Sequence, residues 1–330
     1  MTSQRHDLVV LGDVNPDVIL RGAPETLTFG QAEREVASAT LTLGGSGALM
    51  AHAAARLGLR TAFVGLVGVD RAADVVLAIL TDAGVDISGV VRDPDIATPM
   101  TVVFVRPDGD RAILTAPGAL TSFGPEHIDE RLLLQTRHVH VASVFLQPRL
   151  MTALPRLLTS ARNAGAVTSL DTNDDPARRW IVERSLFAAV DYLLPNEREV
   201  VALAFGPSST ADAVTAAQAL AAQGPVVVVK CGAAGAFAVH SDADRMRVER
   251  ARLPPSATAP LAMVDTVGAG DCFDAGLVAG LVHGLPAPGA LQLAVATGTL
   301  SVRSAGGSDG QPSAAEATRL AARVIVENEE

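Results

Sequence analysis

The sequence predicts an α/β fold in which helices cover both faces of a mostly parallel sheet and a small antiparallel β lid lies beside it. After Gly118, short apolar strands alternate with helices through short links, and such alternation is typical of a parallel sheet. Two β-rich stretches, at about 13–45 and 97–120, interrupt this rhythm and are predicted to form the lid. No linker or internal repeat divides the 330 residues, so we expect a single domain over residues 1–330.

The individual elements follow in chain order. The run DLVVLGDVNPDVIL is a short apolar strand ending in glycine and polar residues, as buried parallel strands do at their carboxyl ends. Gly44 and Gly45 precede a predicted helix, SGALMAHAAARLG, and the next strand and helix are TAFVGLVG and RAADVVLAILTDAG. Pro107, Asp108 and Gly109 form the turn of a predicted hairpin. Further strands are HVHVASV, AVTSL, DYLLP and PVVVVK.

Composition excludes several functional classes. Hydrophobic residues make up 48% of the chain, but many are alanine and no run approaches the roughly 20 apolar residues that cross a bilayer. A net charge of −10 argues against nucleic acid as a partner. The two cysteines, Cys231 and Cys272, match neither a disulfide framework nor a metal motif. We therefore expect a cytoplasmic protein with reduced thiols and no membrane partner.

The segment DTVGAGD at residues 265–271 is the strongest functional signal. Phe273, Leu277 and Leu281 follow it with helical spacing, which places Gly268, Ala269 and Gly270 where a helix begins. Unpaired N–H groups and the helix dipole make such a position an anion site. The carboxylate of Asp271, in the first turn, could cap the helix or take a proton from an attacking hydroxyl. The spacing alone leaves both roles open.

These residues resemble the carboxyl signature D-T-x-G-A-G-D of the ribokinase-like (PfkB) carbohydrate kinases, and all six fixed positions match. The resemblance implies a ribokinase-like three-layer sandwich and an ATP-dependent phosphotransferase. By the same resemblance, Asp271 is the general base, and the amides from Gly268 to Asp271 hold the transferring phosphoryl group. Thr266 is assigned to the nucleotide side.

Polar residues after the first strand are candidates for acceptor binding. Asp13, Asn15 and Asp17 could form only an Asx-type turn. In the resembled family, however, N-x-D contacts the hydroxyls of the phosphoryl acceptor, a role that implies Asn15 and Asp17, with Asp13 as the weaker candidate. Amide and carboxylate groups can hold neighbouring hydroxyls in a fixed geometry.

The loop of Gly44 and Gly45 is similar to the family's first signature, G-G-x-G-x-N, and is the second candidate for acceptor binding. The chain departs from this signature at Leu49, which replaces the Asn. Ser46 stands where several relatives carry a Lys, so the loop offers no fixed positive charge for a phosphorylated sugar. This difference favours a neutral acceptor. The same glycines also match part of a dinucleotide-binding fingerprint, which leaves a nicotinamide oxidoreductase as a rival prediction.

Two further motifs are assigned to the nucleotide. Asn196 and Glu199 have the spacing of a helix capping box, and the resemblance connects N-x-x-E with Mg²⁺, held through water, and with the phosphates. Lys230, Gly232 and Gly235 are similar to the family's nucleotide-side turn. Lys230 is the only lysine of the chain, and its flanking residues exclude a Walker A loop.

The resemblance also implies a possible K⁺ site next to the anion hole. Asp265 and the carbonyl of Val267 would contribute to it, together with the segment 303–307, although Asp265 could instead simply cap a turn. It further implies a homodimer formed through the lid. The sequence thus predicts a kinase for a hydroxyl of a small neutral sugar. The alternatives are a nucleoside kinase, a phosphofructokinase-type sugar-phosphate kinase and a catalytically silent binding module.

Overall fold

The computed structural model of the chain describes residues 6–26, 28–242, 245–258, 263–304 and 306–329. The strands are β1 (His6–Leu11), β2 (Asn15–Arg21), β3 (Ser38–Gly44), β4 (Thr61–Gly68), β5 (Asp86–Asp93), β6 (Met100–Val105), β7 (Arg111–Ala116), β8 (Thr136–Val141), β9 (Val167–Leu170), β10 (Tyr192–Leu193), β11 (Val226–Lys230), β12 (Ala236–Asp242), β13 (Arg245–Arg252) and β14 (Ile325–Glu329). The helices are α1 (Ser46–Arg56), α2 (Arg71–Asp82), α3 (Glu130–Leu134), α4 (Pro148–Asn163), α5 (Arg184–Ala188), α6 (Glu197–Phe205), α7 (Ala213–Ala221), α8 (Pro255–Thr258), α9 (Ala269–Val282), α10 (Ala287–Ser301) and α11 (Ala314–Ala321).

Ten of these strands form a large sheet in the order β14-β13-β12-β11-β10-β9-β8-β1-β4-β5. The pairings from β5 through to β11 are parallel, whereas β11, β12, β13 and β14 pair antiparallel. A tight turn joins β11 to β12, and such a short connection permits only antiparallel pairing. The sheet is therefore mostly parallel, as the sequence predicts.

The other four strands form what we call the small sheet, in the order β3-β2-β6-β7. They lie within the two stretches predicted to build a lid. The outer pairs, β2 with β3 and β6 with β7, are antiparallel, as expected of hairpins. The central pair, β2 with β6, is parallel, so the small sheet is not antiparallel throughout. These two strands are separated in the chain by β3, β4, β5 and two helices, so no hairpin turn sets their direction.

Helices cover both faces of the large sheet, and β1 shows why. Its side chains alternate between the two faces. Leu8 and Val10 pack in a buried cluster with α1, α2 and α9, whereas Val9 and Leu11 pack with α4, α6 and α7 on the other face. A strand buried on both sides reads as a continuous apolar run. The three-layer α/β prediction is confirmed.

The parallel strands end at one edge of the large sheet and bring polar residues together there. Asp13 follows β1, Ser143 follows β8, Asp171 follows β9 and Lys230 ends β11. The amino end of α9 meets this same edge, because Lys230 Nζ lies 3.5 Å from where a Cβ on Gly270 would be. Ligands of open α/β sheets bind at such carboxyl edges. Within the described ranges, no helix is both long and apolar enough to cross a membrane.

Candidate active site

The helix start predicted from DTVGAGD is present in the structure. Gly268 is the N-cap of α9 and has a φ of 74°, a left-handed conformation that glycine adopts at little cost. A Cβ on Gly268 would also lie 3.1 Å from the Cα of Gly307. The N–H of Ala269 donates to the carbonyl of Thr266 at 3.3 Å. Those of Gly270 and Asp271 have no acceptor within the helix, so an anion can bind them.

Asp271 lies in the first turn of α9, and its role is not that of the N-cap, which Gly268 occupies. The side chain is buried, at 7% exposure. Burial, together with the negative charges of Asp171 and Asp13, raises the pKa of Asp271 to about 8, although Lys230 opposes them. A carboxyl group with a pKa near the working pH is well matched to general base catalysis.

The acceptor-side candidates are all buried. Asn15 Nδ2 donates to Asp17 Oδ1 at 2.7 Å, and burial raises the pKa of Asp17 to about 6. Asp13 accepts hydrogen bonds from the N–H groups of Ser46 at 3.1 Å and Gly47 at 2.9 Å. The Asp13 carboxylate thus ties the β1–β2 turn to the start of α1, which leaves Asn15 and Asp17 as the freer polar groups.

Gly44 and Gly45 serve this arrangement through close packing. A Cβ on Gly44 would lie 2.1 Å from Asp17 Oδ1, and one on Gly45 would lie 2.7 Å from the carbonyl oxygen of Asp13. Gly45 also has a φ of 85°. The absence of side chains at these two positions therefore lets the loop approach the Asp17 carboxyl group and the Asp13 backbone.

The structure accounts for Leu49, the departure from the family signature. Leu49 is 3% exposed, and both of its Cδ atoms lie 2.9 Å from the position of a Cβ on Gly307. Its Cδ1 also lies 3.3 Å from the position of a Cβ on Gly268. The side chain therefore packs beneath the helix start rather than into the groove beside Asn15.

Lys230 is the centre of a buried charge cluster. Its Nζ donates to Asp171 Oδ2 at 2.8 Å and to Asp274 Oδ2 at 3.2 Å. Burial would raise the pKa of Asp171, but Lys230, Asp274 and His140 together outweigh that effect and the pKa is lowered. Burial raises the pKa of Asp274 well above its usual range, and its carboxyl hydrogen-bonds that of Asp171. These opposite shifts favour the ionised form of Asp171 and the protonated form of Asp274.

Asn196 and Glu199 form a complete capping box at the start of α6. Asn196 Oδ1 accepts from the Glu199 N–H at 2.9 Å, while the Glu199 carboxylate accepts from the N–H of Asn196 at 2.9 Å and from its Nδ2 at 2.6 Å. Burial, reinforced by Asp171, raises the pKa of Glu199 to about 7. Because both side chains are engaged with each other, they fit a Mg²⁺ ion only through water.

A cavity of about 350 Å³ opens beside the start of α9. Of the residues predicted for the nucleotide, Lys230, Gly232, Gly235 and Thr266 line it, whereas Asn196 and Glu199 are not among its lining residues. The other lining residues, from α9, α10 and neighbouring loops, are Ala233, Leu253, Met263, Ala269, Gly270, Phe273, Val295, Gly298, Thr299 and Val302. A Cβ on Gly235 would lie 2.1 Å from the carbonyl oxygen of Ala251. The turn after β11 therefore requires glycine for packing as well as for any approach of a ligand.

Asp265 caps the turn that precedes α9. Its Oδ1 accepts from the N–H of Val267 at 3.1 Å, and its Oδ2 accepts from the N–H of Gly306 at 3.3 Å and from Arg21 Nη2 at 3.0 Å. Residue 305, within the segment expected to complete a K⁺ site, lies outside the described residues.

Comparison with known proteins decides the family. A family model described as pfkB family carbohydrate kinase matches residues 5–314. The chain belongs to this family. The ATP-dependent ribose-1-phosphate kinase of Halopiger xanaduensis is 32% identical over 319 residues, which cover 94% of this chain and 95% of that protein.

Solved structures of ribokinases share the fold of this PfkB kinase. Arabidopsis thaliana ribokinase complexed with ribose and ATP superposes with a TM-score of 0.82 at 24% identity, covering 96% of this chain and 98% of the other. A putative ribokinase II from E. coli in complex with ATP and Mg²⁺ has a TM-score of 0.76 at 24% identity, covering 96% and 99%.

Sequence reasoning about this PfkB kinase missed two residues of the site, Asp274 and Arg21. Asp274 lies three positions after Asp271, and that spacing places two side chains on neighbouring parts of one helix face. Arg21 lies on β2 in step with Asn15 and Asp17, so all three side chains share one face of the strand. The helical spacing of Asp274 and the strand alternation of Arg21 are visible in the sequence. Neither pattern identifies the partner residue, which is Lys230 for Asp274 and Asp265 for Arg21.

Proposed function

We propose that the chain transfers the γ-phosphoryl group of ATP to a hydroxyl of a small neutral sugar. The observation that carries this proposal is the buried Asp271 carboxyl in the first turn of a glycine-started helix. As the acceptor oxygen attacks phosphorus, Asp271 takes the hydroxyl proton, and the N–H groups from Gly268 to Asp271 stabilise charge on the transferring group.

The nucleotide occupies the 350 Å³ cavity in this proposal. Its wall includes the apolar side chains of Phe273, Val295 and Val302, and its inner end includes Lys230 and Gly270. Asn196 and Glu199 hold Mg²⁺ through water, and the ion, when bound, neutralises charge on the triphosphate. Asn15 and Asp17 orient the acceptor, and the small sheet closes over it to exclude water.

Two observations bear on the charge of the acceptor. Ser46 provides no positive charge, and the carboxyl groups of Asp13, Asp17 and Asp271 oppose an anion near the acceptor side. The lid residue Arg106 is bound to Asp108 in its own hairpin. These points support a neutral sugar. Because the H. xanaduensis relative is a ribose-1-phosphate kinase, a sugar phosphate is also tested as the acceptor.

A nucleoside is the second candidate acceptor, and a cavity beside the small sheet favours it. The cavity measures about 530 Å³, and its lining includes Leu120, Phe145, Met151 and Ile181. It adjoins the acceptor side through hydrogen bonds, since Thr115 at its rim contacts Thr101 at 3.2 Å and Thr101 accepts from Asn15 at 3.3 Å. An apolar space of this size could hold a nucleobase.

One assay separates these acceptors. Purified protein with ATP and Mg²⁺ is incubated with ribose, fructose, ribose 1-phosphate, fructose 6-phosphate or adenosine, and ADP release is followed. The proposal expects the largest kcat/KM for a neutral sugar. A clear preference for ribose 1-phosphate or for adenosine would replace it with the corresponding alternative, and no acceptor-dependent ADP release would contradict kinase activity on all of them.

We also propose that two copies associate through their small sheets. The side chains of Leu41, Ile113 and Leu114 on β3 and β7 are more than half exposed, and such apolar groups on an open sheet favour association. Sedimentation velocity should show a dimer for the wild type and a monomer for the double variant Ile113→Ser, Leu114→Ser. A monomeric wild type would contradict this assignment.

A further inference from the structure

The carboxylate of Asp265 is surrounded by three N–H donors. Two are backbone groups, of Val267 and Gly306, and the third is the guanidinium of Arg21 at 3.0 Å. The Asp265 side chain is 12% exposed and that of Arg21 is 32% exposed, so the pair is sheltered rather than free in solvent. Asp265 therefore already has a positively charged partner.

The position of Arg21 connects this pair to the acceptor side. Arg21 is the last residue of β2, the strand that begins with Asn15. Side chains two apart share a face of a strand, so Arg21 lies on the same face as Asn15, Asp17 and the buried Ile19. One face of β2 thus presents acceptor-side groups at its start and the Asp265 partner at its end.

Asp265 is also joined to the start of α9. The N–H groups of Val264 and Asp265 both donate to the carbonyl of Val302, at 2.8 and 3.3 Å, and Asp265 orients the N–H of Val267, one residue before the N-cap Gly268. The Asp265 carboxylate therefore contacts the backbone that leads directly into the anion hole.

The described surroundings of Asp265 do not fit the K⁺ ion that the family resemblance implies. The Arg21 guanidinium already lies against this carboxylate, with Nη2 at 3.0 Å from Asp265 Oδ2. A cation on Asp265 would also lie within a few ångströms of the guanidinium, and like charges at that distance repel. Among the described residues, Arg21 supplies the positive charge that faces this carboxylate.

We propose that Arg21 is a positioning residue that provides the fixed positive charge at Asp265, in place of a monovalent ion. The guanidinium neutralises Asp265 beside the anion hole, joins the small sheet to the segment that begins α9, and makes activity independent of K⁺. The activity measurement of this inference rests on the proposed kinase function. Its second measurement, the effect of each salt on Tm, does not depend on any acceptor.

The test compares wild type with Arg21→Met, which keeps the length of the side chain and removes its charge. The matched control is Arg156→Met, which breaks an exposed ion pair between α4 and Glu130 of α3. Each protein is measured in KCl, NaCl and tetramethylammonium chloride at equal concentration. The readouts are the Tm without substrates and kcat/KM for the acceptor found above.

For wild type and for Arg156→Met, we expect neither Tm nor kcat/KM to change specifically in KCl relative to the other two salts. Arg21→Met should lose activity several-fold in tetramethylammonium chloride and recover it in KCl, with a rise in Tm that is specific to K⁺. A K⁺ response in wild type would overturn the proposal, as would an Arg21→Met variant that ignores K⁺. If no acceptor is found, the kinase proposal fails, while the Tm comparison still decides the role of Arg21.

Discussion

The Lys230 ammonium and the Asp171 carboxylate form a buried ion pair with an N–O distance of 2.8 Å. Asp274 completes the cluster from α9, so the only lysine of the chain connects β9, β11 and the helix that carries Asp271. Burial would lower the pKa of Lys230, but the carboxyl groups around it, Asp171 foremost, outweigh that effect and raise the pKa. The ammonium is therefore a permanent positive charge beside the first turn of α9.

This cluster predicts unequal costs for two similar substitutions. Asp171→Asn leaves the buried Lys230 without its ionised partner and should lower the free energy of unfolding by about 3–5 kcal/mol. The pKa of Asp274 is raised, which favours its protonated form, so Asp274→Asn, an amide of similar size, should cost less than about 1.5 kcal/mol. Urea unfolding at pH 7 measures both. Equal losses would show that Asp274 is ionised as well.

The raised pKa of Asp271 predicts the pH dependence of activity. A general base must be deprotonated, and the pKa of this carboxyl is about 8 in the free protein. We therefore expect kcat/KM to rise about tenfold per pH unit as pH approaches 8 from below, and to level off above it. In Asp171→Asn the curve should move to lower pH, since Asp171 is one of the charges that raise the pKa of Asp271. A flat profile from pH 5.5 to 8 would contradict the assignment of the base.

The packing of Leu49 predicts that restoring the family's asparagine is harmful. Leu49→Asn places an amide against Gly268 and Gly307 and should cost about 1–3 kcal/mol of folding stability. It should not lower the KM for the acceptor, since the side chain lies beneath the helix start. Leu49→Met, which preserves volume, is the control and should cost less than about 1.5 kcal/mol. A stable Leu49→Asn with a lower acceptor KM would show that position 49 reaches the acceptor.

Local features of the fold and site could be predicted from the sequence, and non-local pairings could not. The helix start at Gly268 and the capping box of Asn196 and Glu199 depend on residues within a few positions of each other, so spacing alone indicates them. The Arg21–Asp265 pair spans 244 positions. The face of β2 on which Arg21 lies follows from alternation, but its partner depends on how the small sheet sits against the start of α9.

The same limit applies to strand direction and to charge. The parallel pairing of β2 with β6 depends on tertiary packing, because no turn joins these two strands. Lys230 was identified as unusual because the chain has no other lysine, yet its partners Asp171 and Asp274 come from two further elements. The opposite pKa shifts of these two carboxyl groups depend on burial and on the nearby charge of Lys230, which only the folded arrangement defines.

Asp271→Asn tests the central claim most directly. The amide preserves size but cannot accept the hydroxyl proton, so kcat at pH 8 with the identified acceptor should fall by about 100-fold or more. The pKa of Asp271 is raised from 3.8 to about 8 on folding, so ionisation of Asp271 costs the wild type stability as pH rises through that range. The variant should therefore have a Tm at pH 9 equal to or above that of wild type, which shows that any lost activity is not lost folding. A folded Asp271→Asn that phosphorylates its acceptor at near wild-type rate would contradict the account.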